Sequence, residues 1–146
     1  MLYPPGSFDA ASQGYPNIGD LSDYVKDMPF TGYAVDHAWA VKNKPAIVGF
    51  LKGWRKAVDW FYDPGNRAEA IAILVKESGQ TQENIEKTYD YYRSHHIFPE
   101  DGTIDAKKLT TLVQALAQMN TLAGPADPHR FVNPEMVLLN KEAAQK

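Results

Sequence analysis

Between residues 45 and 61, large apolar positions recur at three- and four-residue intervals: Ile47, Phe50, Leu51, Trp54, Val58 and Phe61. That spacing puts them on one stripe of an α-helix. Pro45 suits the first turn, where its missing N–H is not needed, and Asp63-Pro64-Gly65 ends the run. Four further helices follow from periodicity and caps. Asn66 is expected to cap the first of them, with Glu69 three residues on as in a capping box. Ala68, Ile71, Ala72, Leu74 and Val75 carry it to Ser78, and Gly79 stops it. Thr81 is the expected N-cap of a helix over 81–94, whose apolar face is Ile85, Tyr89 and Tyr92. Asp105 caps a helix over 106–120, with Leu109, Leu112, Val113, Leu116 and Met119 in register. Asn133-Pro134 reads as the N-cap and first position of a last helix that frays into Lys141–Lys146.

Residues 31–41 show a different period. Tyr33, Val35, His37, Trp39 and Val41 alternate with Gly32, Ala34, Asp36, Ala38 and Ala40. The first set is larger and partly aromatic, as a strand with one packed face requires. The reading is a strand over Thr31–Val41, or a strand over its first half followed by a turn. Before it, Pro4-Pro5-Gly6, Gly14, Pro16, Gly19 and Pro29 interrupt any long helix. A helical turn or two is expected around Ser7–Gln13, ending at Gly14, and another short turn at Leu21–Val25. A lone strand needs neighbours for its backbone groups. Its sheet partners must therefore come from the weak N-terminal segment or from another chain.

Composition narrows the function classes. The 146 residues suffice for one domain with a core, and 44% hydrophobic and 23% charged residues are ordinary for a soluble globular protein. A net charge of −3 with scattered basic residues gives no electrostatic reason to expect nucleic acid. There is no cysteine, which excludes disulfides, thiol catalysis and cysteine-based metal sites. Apolar runs are too short for a transmembrane helix. Met1 leads straight into Leu2-Tyr3-Pro4-Pro5, which is not a signal peptide. If the parent protein is exported, the expectation is that this chain begins after the part carrying the export signal.

Catalytic signatures are weak. His95 and His96 are adjacent, so they diverge on a helix or a strand and do not form the i, i+4 pair of a zinc helix. His37 and His129 stand alone in the sequence. An EF-hand register around Gly102 would put Ile97 and Lys108 at positions where calcium needs carboxylates, so Asp101–Asp105 is read as a turn and cap. No GxSxG elbow or phosphate loop is present, and nothing selects an acid–base pair. No catalytic residue, metal or cofactor is expected, and the chain is read as a non-enzyme. The aromatics Phe50, Trp54 and Phe61 are read as core.

Two runs carry a resemblance. Gly32-Tyr33-Ala34-Val35-Asp36-His37-Ala38-Trp39-Ala40-Val41-Lys42-Asn43-Lys44-Pro45, followed by Phe50-Leu51-Lys52-Gly53-Trp54-Arg55-Lys56-Ala57-Val58-Asp59-Trp60, resembles the solute-binding proteins of bacterial nitrate/sulfonate/taurine/thiamine-precursor ABC importers. In that family a returning strand precedes an Asn-x-Pro helix start and a long helix ending near an Ala-x-x-Trp. Tyr62 to Ile71 looks like the following helix start, and Phe98–Asp105, Leu109–Leu122 and Pro128–Val132 are similar to the family's closing turn, helix and tail. The resemblance implies an α/β fold, the C-terminal portion of a type II periplasmic-binding-protein fold, here mostly α-helical with one clear strand at Thr31–Val41. Residues 1–30 would be the end of the second lobe and a cleft loop. Residues 31–146 would be the crossover strand plus helices completing the first lobe.

The resemblance also implies a site and partners. Tyr3, Pro5, Ser7 and Phe8 lie in the segment similar to the cleft loop, where a helix start offers N–H groups to an anionic head group. Tyr33, Asp36 and His37 would face the cleft from the crossover strand. The implied ligand is a small organic anion or heterocycle such as a sulfonate, nitrate, taurine or a thiamine-pyrimidine precursor. The implied partner is a membrane ABC permease, with a periplasmic location for the full-length parent. Two alternatives are a helical interaction or dimerisation module, and a pyrimidine-precursor synthase-like enzyme on the same fold. An isolated fragment is expected to self-associate, as a homodimer, to cover apolar surface.

Overall fold

The computed structural model describes residues 2–20, 23, 29, 31–100 and 102–144. Among them the regular elements are all helical: α1 (Gly6–Ser12), α2 (His37–Lys42), α3 (Lys44–Tyr62), α4 (Arg67–Ser78), α5 (Gln82–Ser94), α6 (Ala106–Gln118) and α7 (Pro134–Ala144), with 3-10 turns at Pro64–Asn66 and Pro128–Arg130. Of the short turn expected at Leu21–Val25, only Asp23 lies among the described residues.

The expected α/β fold is therefore corrected, since the described residues contain no strand. Residues 31–36 have no regular structure, and His37–Lys42 is helical. The reason is local. The Asp36 carboxylate accepts the Trp39 N–H at 2.8 Å and so caps a helix. Ala38 and Ala40, read as the small side of a strand, are good helix formers. Alternation alone cannot hold a strand whose backbone has no ladder partner among the described residues.

The helices begin and end where local chemistry dictates. Thr81 Oγ1 accepts the Asn84 N–H at 3.3 Å. Asp105 Oδ1 accepts the N–H groups of Lys107 at 2.8 Å and Lys108 at 3.1 Å. Asn133 Oδ1 accepts the Glu135 N–H at 2.8 Å. Gly79 closes α4 at φ 66°, a left-handed conformation that glycine adopts without penalty. The expected capping box at Asn66 does not form. Asp63 starts a 3-10 turn by accepting the Gly65 N–H at 2.8 Å, and that turn runs directly into α4. Asn66 is left to donate to the Trp60 carbonyl at 3.0 Å.

The chain forms two compact units. The first comprises Met1–Leu21 and Lys56–Glu100, and the second Ser22–Arg55 and Asp101–Lys146. In the first, Ala70 and Ile71 of α4 and Ile85 and Tyr89 of α5 make a buried cluster flanked by Trp60, Phe61, Leu74 and Val75. Helix α1 packs against α5. The Tyr92 hydroxyl donates to the Pro4 carbonyl at 3.0 Å, and Phe8 meets Tyr91 edge-on at 6.4 Å. In the second unit Ala40, Val113, Leu139 and Ala143 are buried. The guanidinium of Arg55 donates to both the carbonyl and the side-chain oxygen of Asn140, at 3.3 and 3.1 Å, tying α3 to α7.

Candidate functional site

At the end of α5, in the first unit, five polar side chains line an open cleft of about 320 Å³: Tyr62, Asp90, Arg93, Ser94 and His96. The α5 spacing brings Asp90, Arg93 and Ser94 onto one side, since residues three and four apart are neighbours on a helix. Tyr62 is held by two bonds to one peptide: its hydroxyl donates to the Phe98 carbonyl at 3.0 Å and accepts the Phe98 N–H at 2.9 Å. Burial raises the Tyr62 pKa above its ordinary 10.0; the hydrogen bond to Phe98 opposes this, and the Glu100 charge adds to it. His96, at φ 45°, sits beside the Tyr62 ring at 5.4 Å and within 3.4 Å of a Glu100 oxygen.

One ion pair lies at the cleft. Asp90 is held by the fork of Arg67, at 3.2 Å from Nε and 2.9 Å from Nη2. Arg93 lies 5.9 Å from the Tyr89 ring centroid, a cation–π distance. Ser94 Oγ is 2.9 Å from His95 Nδ1, which resembles a nucleophile–base pair. The same Nδ1 lies 2.9 Å from the Tyr91 carbonyl oxygen, which can only accept, so Nδ1 carries the proton. Ser94 also donates to that carbonyl, at 3.0 Å. The ring stacks on Tyr91 at 4.0 Å. Among the described residues, no group of three His, Cys, Asp or Glu side chains could hold a metal ion.

The side chains expected from sequence to form a site fall into both units. Tyr3, Pro5, Ser7 and Phe8 lie in the first. There the Ser7 N–H donates to the Tyr3 carbonyl at 3.2 Å, and the N–H groups of Phe8 and Asp9 donate to the Pro5 carbonyl at 3.0 and 3.1 Å. The donors expected to face an anion are thus already used. Tyr33, Asp36 and His37 lie in the second unit. Asp36 caps α2, Tyr33 meets Phe50 and Trp54 edge-on at 4.8 and 5.2 Å, and His37 Nδ1 is 3.2 Å from Asn133 Nδ2. Sequence reasoning noticed His95-His96 but passed over Asp90, Arg93 and Tyr62. The i, i+3 pair Asp90–Arg93 was the available signal.

Compared with protein-family models, with curated proteins and with solved structures, the chain matches none. Among the described residues no helix is long and apolar enough to cross a membrane.

Proposed function

We propose that the chain is the C-terminal part of the solute-binding component of an ABC importer for a small organic anion, and acts in binding rather than catalysis. The observation that carries this reading is the apolar surface of the second unit. Tyr33 is 67% exposed, Trp39 47% and Phe50 49%, with Val35 and Val41 exposed between them. Tyr33 and Phe50 meet edge-on at 4.8 Å while both stay about half exposed or more, and exposed apolar surface of this kind is what a partner covers. The same stretch carries the resemblance to importer solute-binding proteins. The remainder of such a protein is the occupant that fits it. The helix punctuation supports the reading too: α3 starts at Asn43-Lys44-Pro45, and Asp63-Pro64-Gly65-Asn66 leads into α4. The strand that the resemblance implies at Thr31–Val41 is absent among the described residues, which counts against the reading.

The test is the DNA directly upstream of the coding segment. The reading expects a continuous open frame encoding an export leader and the remaining cleft residues. An in-frame stop codon there overturns it. A second reading, a helical interaction module, is favoured by the absence of strand among the described residues. The two separate on thermal stabilisation of the upstream-extended protein by taurine, an alkanesulfonate or nitrate, which should follow RT ln(1 + [L]/Kd) without turnover.

A further inference from the structure

In the first unit the packing of α4 and α5 leaves an apolar recess open on one side. A cavity of about 190 Å³ opens there. Its aliphatic wall is Leu74 and Ile85, and Pro5 closes one side. Four aromatic residues complete it: Phe61, Tyr89, Tyr92 and Phe98. Their rings already meet each other tilted or edge-on, Phe61 with Tyr89 at 4.8 Å, Phe61 with Phe98 at 5.6 Å and Tyr92 with Phe98 at 5.5 Å.

Four hydroxyls also line the cavity, and each donates a hydrogen bond to a backbone carbonyl. Ser78 donates to Leu74 at 2.6 Å, Thr88 to Asn84 at 2.7 Å, Tyr89 to Phe61 at 2.9 Å and Tyr92 to Pro4 at 3.0 Å. The wall therefore presents carbon and offers no hydrogen-bond donor. A dry apolar cavity of about 150 Å³ is large enough to take benzene. Aromatic guests add edge-to-face contacts that saturated ones of equal size lack.

We propose that this cavity is a binding site for a neutral, single-ring aromatic compound carrying at most short alkyl substituents. The site lies within the first unit and does not depend on the importer reading. The bond from Tyr92 to the Pro4 carbonyl ties the Pro4-Pro5 segment to α5 beside the site.

The experiment uses the full chain with toluene as probe and methylcyclohexane and pyridine as comparisons. Toluene is expected to raise the melting temperature and to shift the methyl resonances of Leu74 and Ile85. Pyridine needs a donor for its nitrogen, finds none, and should bind about tenfold more weakly or worse. Leu74→Phe fills the cavity and should abolish the toluene response. Ser78→Leu, at an exposed rim position, narrows it without disturbing the buried cluster and should weaken the response if Leu74→Phe fails to fold. No response to saturating toluene overturns the proposal. So does a response unchanged in the variants, or equal binding of pyridine or methylcyclohexane.

Discussion

Tyr62→Phe isolates one structural link. The substitution keeps the ring and removes only the oxygen that both donates to the Phe98 carbonyl and accepts the Phe98 N–H. These two bonds join positions 36 residues apart in sequence, the end of α3 and the segment after α5. Each lost bond is worth about 1 kcal/mol, so the expected loss is about 2 kcal/mol. Tyr92→Phe removes a single bond, to the Pro4 carbonyl, and should lose about 1 kcal/mol. For a cooperative unit of this size each kcal/mol lowers the melting point by about 4–8 °C, so the two variants should be clearly resolved. The assay is thermal unfolding followed by circular dichroism, repeated from neutral to alkaline pH. Burial raises the Tyr62 pKa, so the folded state holds the phenolic proton more tightly than the unfolded chain. Its contribution is complete below the ordinary 10.0 and is lost as pH rises through the higher folded value. Tyr62→Phe should therefore also flatten the alkaline loss of stability, and the part that remains reflects Tyr92, raised chiefly by burial. Equal losses in the two variants, or an unchanged alkaline slope in Tyr62→Phe, would refute this reasoning.

Gly79→Ala forces an alanine into the left-handed conformation at φ 66° and should destabilise by about 1–2 kcal/mol, measured by urea unfolding, although no neighbour would clash with the added carbon. Asp105→Ala removes the cap of α6 and should lower helicity and melting temperature together. The backbone N–H of Lys108 holds the Asp105 carboxyl below its ordinary 3.8, opposed by desolvation and helped by the N–H of Lys107. Its contribution is thus present above that value and lost as pH falls through the lower folded one, so the variant should show a shallower acid transition. Arg93→Gln should weaken sulfate or taurine binding at the polar cleft, read by titration calorimetry, and leave the melting temperature of the free protein nearly unchanged.

What the sequence made legible was local. Thr81, Asp105 and Asn133 were identifiable as caps because each side chain reaches an N–H only two or three residues on. Gly79 was identifiable because a helix end with a left-handed residue favours glycine. Asn66 misled because Asp63, three residues earlier, captured the chain first in a 3-10 turn. Thr31–Val41 misled for a related reason. Its alternation describes what a strand would bury, but Asp36 supplies an immediate cap for a helix and no ladder partner is described. The polar cleft depends on contacts that sequence periodicity does not register. Tyr62 reaches it through a peptide 36 residues away, and Asp90 is neutralised by Arg67 across the α4–α5 packing. Tyr89 and Tyr92 were placed on one face correctly, but that their hydroxyls would be used up beside an apolar recess follows only from the packing.

The account stands or falls on the exposed apolar side chains from Tyr33 to Phe50 being a surface that another part of a larger protein covers. Light scattering on the purified chain, with fluorescence of a hydrophobic dye, measures that directly. The account predicts bright dye fluorescence or a dimer, with either signal reduced by Trp39→Asp. A monodisperse monomer that leaves the dye dark would contradict it.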